Sequence, residues 1–158
     1  MTHEITPRAL PELAYFKPVY LFLLFIMGLT GFAQMPIFKR YYIADIPGLA
    51  WLADFYVTHY LHYLGAIALF GYFVYVVVTY WGLMRQRFQL TGAAYIRVAI
   101  LVLIAVTGIF RVLKNLPDVV FSPLFTMVID VSHLALMMFL MLCGILFMVL
   151  KKGWLVSK

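Results

Sequence analysis

Four long apolar segments, separated by short stretches that hold most of the charged residues, constrain the fold of this chain more than any other feature. They lie at residues 18–38, 56–84, 93–113 and 123–150. Each is long enough for an α-helix to cross the ~30 Å hydrocarbon core of a bilayer. The composition agrees, because a chain of 158 residues that is 66% hydrophobic and 11% charged has more apolar surface than a water-soluble domain can bury. The sequence therefore predicts an all-α membrane protein, a four-transmembrane-helix bundle formed by one domain over residues 1–158, without internal repeats.

The basic residues predict the orientation of this bundle. Four spans place both termini on the same side of the membrane, and that side carries eight of the twelve Lys and Arg residues. By the positive-inside rule, both termini are predicted to be cytoplasmic. The net charge of +6 follows from this asymmetry, and no basic stripe with interleaved aromatic residues indicates a nucleic-acid partner. The inner residues are Arg8, Lys17, Arg85, Arg87, Arg97, Lys151, Lys152 and Lys158, and the outer residues are Lys39, Arg40, Arg111 and Lys114.

The outer connections carry two local signals. Residues 45–54 mix apolar and aromatic side chains around a Pro47-Gly48 break, which predicts a short helix lying at the outer interface. Ser122 followed by Pro123 is typical of a helix start, with serine as the N-cap and proline at the first helical position. Cys143 is the single cysteine, so we expect neither a disulfide nor a thiolate metal site.

Histidines are the most informative polar residues inside the spans. A histidine in a membrane helix is costly unless it is paired, liganded or hydrated, so it indicates function. His62 lies eight residues beyond Asp54, or ~12 Å along the second span at ~1.5 Å per residue. His133 lies ten residues beyond Pro123, or ~15 Å by the same rise. Two imidazoles at matched depth on facing helices can supply both axial ligands of a haem iron. His59, one turn nearer the surface, is the alternative ligand on the second span.

Charged residues near the same outer surface suit the edge of such a cofactor. Arg111 ends the third span and Lys114 follows one turn later, and both are candidates to pair with anionic haem propionates. Asp130 precedes His133 by three residues, and we expect it to hydrogen-bond an imidazole or to accept the proton of a quinol. The small residues expected to make room for a macrocycle are Gly65, Ala66, Ser132 and Ala135.

Short motifs at the outer ends of the spans resemble a known family. The first span ends in GLTGFAQMP (residues 28–36) and the third in TGIFR (residues 107–111), while histidines open the second span and one lies in the outer half of the fourth. Over all four spans the chain resembles the cytochrome b subunits that anchor respiratory formate dehydrogenases, nickel–iron hydrogenases and thiosulfate reductases. In that family the outer haem is bound by histidines of the second and fourth spans, positions that His62 (or His59) and His133 match.

The resemblance also implies a function. Such a subunit is not catalytic by itself, and this chain contains no nicotinamide, flavin or iron–sulfur motif. The resemblance implies that the chain lies in the cytoplasmic membrane of a prokaryote, surrounded by lipid. It relays electrons between a peripheral redox subunit, an iron–sulfur protein or multihaem cytochrome, and the quinone pool, either menaquinone or ubiquinone.

One departure from the family limits the cofactor content. The family's second haem needs a histidine on the first span and another deep in the fourth. Here the first span has no histidine, and the deep part of the fourth reads CGILFM at residues 143–148. We therefore expect one haem b, with the quinone site near it or the remaining electron path supplied by a partner subunit.

Other functions stay open. A haem-free membrane anchor would dock a redox enzyme and form part of a quinone site from His59, Asp130 and Arg111. A small transporter or proton channel would use the span histidines and Asp130 as a relay. The inner halves of the spans are almost wholly apolar, with Thr79 the main exception, which disfavours the relay. Finally, an intramembrane histidine can simply join two helices by a hydrogen bond.

Overall fold

The computed structural model of the chain describes residues 15–158. Four of its helices are long and apolar enough to cross a membrane, which confirms the prediction of an all-α protein with four spans. Arg8, used in the topology argument, lies outside the described residues, and the side on which the termini lie stays a prediction. The elements in chain order are α1 (Phe16–Ala33), α2 (Ile37–Arg40), α3 (Phe55–Thr79, continued by a π-helical turn at Tyr80–Met84), β1 (Phe88–Leu90), α4 (Gly92–Leu113), α5 (Pro123–Val149) and β2 (Leu155–Ser157).

The helices pair into two compact hairpins. In the N-terminal hairpin, which ends at residue 85, α1 packs along α3. In the C-terminal hairpin, which starts at residue 86, α4 packs along α5. Only 6–11% of the residues in each span are buried within the protein. This is the arrangement that a bilayer permits, because helical backbone groups are satisfied internally and apolar side chains can face lipid.

Side-chain caps fix the starts of the spanning helices. The Asp54 carboxylate accepts hydrogen bonds from two backbone amides in the first turn of α3, at 2.9 and 3.1 Å. The Ser122 hydroxyl accepts a bond from the first turn of α5, and Pro123 occupies the first helical position, as predicted. Thr91 caps α4 in the same way. Each cap satisfies an amide that the helix itself leaves without a partner.

The first span is shorter than predicted. It was expected to reach residue 38, but α1 ends at Ala33, and α2 is a separate turn of four residues. Pro36 explains the break, because proline has no N–H to donate and disfavours helical geometry at the residue before it. The chain therefore leaves the helix at Gln34 and re-enters a helical turn only after the proline.

The connection between α1 and α3 also differs from the prediction. In place of one short helix, it contains two 3₁₀ turns, Ile43–Asp45 and Ala50–Ala53. Between them the chain reverses at Pro47-Gly48, where Gly48 has a φ of 88° and the Leu49 amide bonds the Ile46 carbonyl at 3.0 Å. Proline followed by a glycine at positive φ forms a type II turn, which a helix cannot incorporate.

Arg97 closes the end of the C-terminal hairpin where α4 begins and α5 ends, beside a short antiparallel pairing of β1 with β2. Only 8% of the residue is exposed. Its guanidinium carbon lies 4.7 Å from the ring centre of Phe147 and 5.0 Å from that of Trp154. Its nitrogens donate to the carbonyls of Lys152, at 3.0 Å, and Gly153, at 3.4 Å. In the sequence, Arg97 is only one of the basic residues of the predicted cytoplasmic side. In the structure, its guanidinium donates to carbonyls just past the end of α5.

Candidate functional site

His62 lies against the C-terminal end of α1 in the N-terminal hairpin. Its Nδ1 is 3.0 Å from the hydroxyl of Thr30, a residue that is 1% exposed. The next residue, Gly31, leaves the room that the ring occupies, because a Cβ added there would lie 3.3 Å from Cε1 of His62. The imidazole is therefore held by a hydroxyl on one side and by bare backbone on the other.

His133 is held in the same way in the C-terminal hairpin. Its Nδ1 is 2.9 Å from the hydroxyl of Thr107 on α4. A Cβ added to Gly108 would lie 3.4 Å from Cε1 of His133. Each hairpin thus presents one histidine of its second helix to a threonine–glycine pair of its first helix, an arrangement we call the Thr-Gly contact. Thr30-Gly31 and Thr107-Gly108 are visible in the sequence but their histidine partners are not, because 32 and 26 residues separate the threonines from His62 and His133.

Each hairpin has a second side-chain contact between its two helices, one turn nearer the connection that joins them. Four residues after the threonine of one hairpin, Gln34 places Oε1 3.0 Å from Nδ1 of His59. At the corresponding positions of the other hairpin, Arg111 places Nε 3.0 Å from Oδ1 of Asp130. The repeated position therefore holds an amide–imidazole pair in the N-terminal hairpin and a guanidinium–carboxylate pair in the C-terminal hairpin.

His59 belongs to a cluster of amide and aromatic groups. Gln34 is oriented by its own Nε2, which donates to the Thr30 carbonyl at 3.3 Å. The His59 ring stacks on Phe55, with centres 5.2 Å apart and planes 16° apart, and its centre is 4.4 Å from that of Tyr63. The Thr-Gly contact that recurs at His133 is made by His62 and not by His59. Of the two candidates on the second span, His62 is therefore the structural counterpart of His133.

Asp130 lies between Arg111 and Lys114, the two cations that were candidates to pair with haem propionates. Lys114 Nζ donates to both carboxylate oxygens, at 2.8 and 2.7 Å, and Arg111 Nε lies 3.0 Å from one of them. This last contact is not directed as a hydrogen bond, and Arg111 Nε is the one buried side-chain nitrogen or oxygen without a hydrogen bond in the described part of the chain. The three side chains, called the cation cluster below, carry a net charge of +1. Asp130 was expected to hydrogen-bond an imidazole or to accept the proton of a quinol. In the structure, its carboxylate is the counter-ion of Arg111 and Lys114.

The small residues near the histidines have different roles. Gly65 was expected to leave room for a macrocycle, but a Cβ there would lie 2.7 Å from Sδ of Met27, so the glycine allows close packing of α1 on α3 and that expectation is wrong. Ser132 and Ala135 instead line an open, apolar groove of about 510 Å³ on the C-terminal hairpin. The other residues lining the groove are Leu103, Thr107, Leu136 and Phe139.

Neither a cluster of metal-binding side chains nor a similar protein identifies the ligand of this site. Within residues 15–158, no group of three or more His, Cys, Asp or Glu side chains is placed to hold a metal ion. A haem iron takes only two protein ligands, so the histidine pair is a smaller set than such a cluster. No protein-family model, curated protein or solved structure matches the chain.

Proposed function

We propose that this chain is a membrane cytochrome b subunit that holds one haem b through His62 and His133. The observation that carries the proposal is the repeated Thr-Gly contact, in which each hairpin holds one histidine by the same two neighbours at 2.9–3.0 Å and 3.3–3.4 Å. A histidine that only joined two helices would not require a glycine beneath its ring in both hairpins. A bis-histidine haem b uses two imidazoles, and the chain offers two that are held alike.

The residues present suit this cofactor. Imidazole nitrogens are common axial ligands of haem iron, and a pair of them gives a low-reactivity centre that carries electrons. When bound, the haem would supply the one-electron redox chemistry. The contribution of the protein is to hold two imidazoles in fixed orientations inside an apolar environment, and the glycines at positions 31 and 108 serve this by leaving space that any larger residue would fill.

The cation cluster suits the anionic edge of the same cofactor. Its net charge of +1 remains after Asp130 has been paired, and Arg111 Nε has no hydrogen bond. A propionate carboxylate would neutralise the excess charge and accept from that nitrogen. Arg111 and Lys114 are accordingly the residues that we assign to the propionates, and Asp130 is the counter-ion that holds them in place.

In this function the chain is a non-catalytic relay in the cytoplasmic membrane of a prokaryote. Its electrons pass between a peripheral redox subunit, an iron–sulfur protein or multihaem cytochrome, and menaquinone or ubiquinone. The support for these partners is the family resemblance of the span ends together with four helices apolar enough to cross a membrane.

The test is a reduced-minus-oxidised visible spectrum of the full chain, purified in detergent from haem-replete cells, with haem quantified per chain. A b-type spectrum at one haem per chain, with reduction by a short-chain quinol, is the expected result. A chain purified without haem would overturn the proposal and leave the haem-free anchor as the better account. Two haems per chain would contradict the single ligand pair.

A further inference from the structure

The two threonines that contact the histidines also contact their own helices. Thr30 Oγ1 lies 2.7 Å from the carbonyl oxygen of Ile26, one turn back, and 3.0 Å from Nδ1 of His62. Thr107 Oγ1 lies 3.0 Å from the carbonyl oxygens of both Leu103 and Ile104 and 2.9 Å from Nδ1 of His133. Each hydroxyl is therefore placed between backbone acceptors and an imidazole nitrogen.

The single hydroxyl hydrogen decides the tautomer of the histidine. A carbonyl oxygen can only accept, so Thr30 gives its hydroxyl hydrogen to the Ile26 carbonyl at 2.7 Å, and Thr107 gives its own to the Leu103 and Ile104 carbonyls, both at 3.0 Å. Threonines within helices commonly donate to the carbonyl one turn back in this way. With its hydrogen used, the hydroxyl oxygen accepts from the imidazole, and Nδ1 must carry the proton. A neutral imidazole protonated at Nδ1 has its lone pair on Nε2.

We propose that Thr30 and Thr107 are positioning residues, which set His62 and His133 as Nδ1–H tautomers so that Nε2 is the ligand atom for the haem iron. This inference rests on the proposed function for its iron, but the tautomers are set by the protein alone. The partner of the non-ligating nitrogen fixes the tautomer and ring orientation of a metal-binding histidine in general, and losing it typically costs 10–100-fold in metal affinity.

The two threonines are expected to differ in strength. Thr30 is 1% exposed, so water does not reach its hydroxyl, whereas Thr107 is less buried and lines the open groove. Loss of the Thr30 hydroxyl should therefore have the larger effect. Thr79 provides a matched control, because its hydroxyl donates to the Tyr75 carbonyl at 2.8 Å in the same manner while the residue itself is only half-buried.

The first test uses the full-length chain before haem is added. Histidine ring nitrogens are labelled with ¹⁵N and their NMR signals are assigned with His62→Gln and His133→Gln variants. We expect the Nδ1–H tautomer for both histidines in the wild type, in Thr30→Ser and Thr107→Ser, and in Thr79→Val. Thr30→Val and Thr107→Val, which keep the shape but lose the hydroxyl, should each weaken the preference for that tautomer at their own histidine, and less so at His133, whose ring also hydrogen-bonds the Ile104 backbone.

The second test measures the haem-loaded chain. Each threonine-to-valine variant should bind haem at least tenfold more weakly and shift its midpoint potential, with both properties restored by serine and unchanged in Thr79→Val. Nε2–H tautomers in the wild type, or valine variants that match the wild type in both measurements, would overturn the inference. Absence of haem from every variant would overturn the proposed function instead, and the tautomers of the haem-free chain would still decide the role of the threonines.

Discussion

Gly31 and His62 touch across the N-terminal hairpin so closely that a Cβ on Gly31 would lie 3.3 Å from Cε1 of the imidazole. Gly108 and His133 have the same relationship, at 3.4 Å. At these distances a methyl group fits only if the ring moves by a few tenths of an ångström. The glycines therefore control where the imidazoles lie, and substitutions there separate ligand placement from folding.

We predict that Gly31→Ala and Gly108→Ala lower haem occupancy without weakening the fold. Alanine raises helix propensity by up to about 1 kcal/mol over glycine, so the free energy of unfolding should not fall, whereas the displaced ring should bind iron less well. The measurement is haem per chain together with thermal unfolding in detergent. Gly144→Ala, on α5 with nothing within 4 Å of its added Cβ, is the control and should keep full occupancy. Equal occupancy in all three variants would show that the glycines do not place the ligands.

Asp130→Asn and Arg111→Gln are predicted to differ in their effect on haem binding. Asp130→Asn leaves two cations without their carboxylate, and because all three side chains are 22–38% exposed, it should destabilise the haem-free chain by only about 1 kcal/mol. The freed cations should then bind propionates at least as tightly as before. Arg111→Gln removes a propionate partner and should weaken haem binding severalfold.

Haem titration of both single variants and of the double variant measures this coupling. Lys151→Gln, which changes an exposed cation just past the end of α5, serves as the control. If Asp130→Asn loses haem as strongly as Arg111→Gln, then Asp130 acts on the cofactor directly and not as a counter-ion.

Arg97 is predicted to stabilise the C-terminal hairpin without any role at the histidines. Lysine keeps the charge but cannot reach both carbonyls or stack between Phe147 and Trp154, so Arg97→Lys should lower the free energy of unfolding by about 1–3 kcal/mol. Arg85→Lys changes an exposed arginine that lies over Trp81, and its effect should stay within about 0.5 kcal/mol. Thermal unfolding and haem content are measured together. Loss of haem in a still-folded Arg97→Lys chain would contradict a purely structural role.

Local sequence signals predicted the helices well because their causes are local. Apolar length predicted four spans, and the Ser122-Pro123 pair gave the start of α5. The first span was drawn through Pro36 because its apolar residues continue to Phe38, but proline ends a helix whatever the hydropathy of its neighbours. The 3₁₀ turns around Gly48 were missed because apolar and aromatic composition does not distinguish a helix from a succession of tight turns.

The candidate site was only partly predictable because its contacts join residues far apart in sequence. His62 and His133 were identified by the cost of placing histidine in a membrane, which sequence alone reveals. Their threonine partners depend on how each helix rotates about its axis, which is set by packing such as that of Met27 on Gly65. Asp130 was expected to hydrogen-bond an imidazole or to accept the proton of a quinol, and its pairing with two cations at the end of α4 was missed because spacing along α5 does not reveal contacts with another helix. Thr-Gly recurs near the ends of the first and third spans, but it also occurs at Thr91-Gly92, where the threonine caps α4, so the dipeptide alone does not identify these contacts.

The central claim, that His62 and His133 are the two axial ligands of one haem, is tested most directly by comparing three variants of the full chain. Reduced-minus-oxidised spectra and haem content are measured for His62→Ala, His133→Ala and His59→Ala beside the wild type. We predict a b-type spectrum at one haem per chain in the wild type and in His59→Ala, and loss of that spectrum in both other variants. Retention of the spectrum in His62→Ala with its loss in His59→Ala, or a wild-type chain without haem, would contradict the claim.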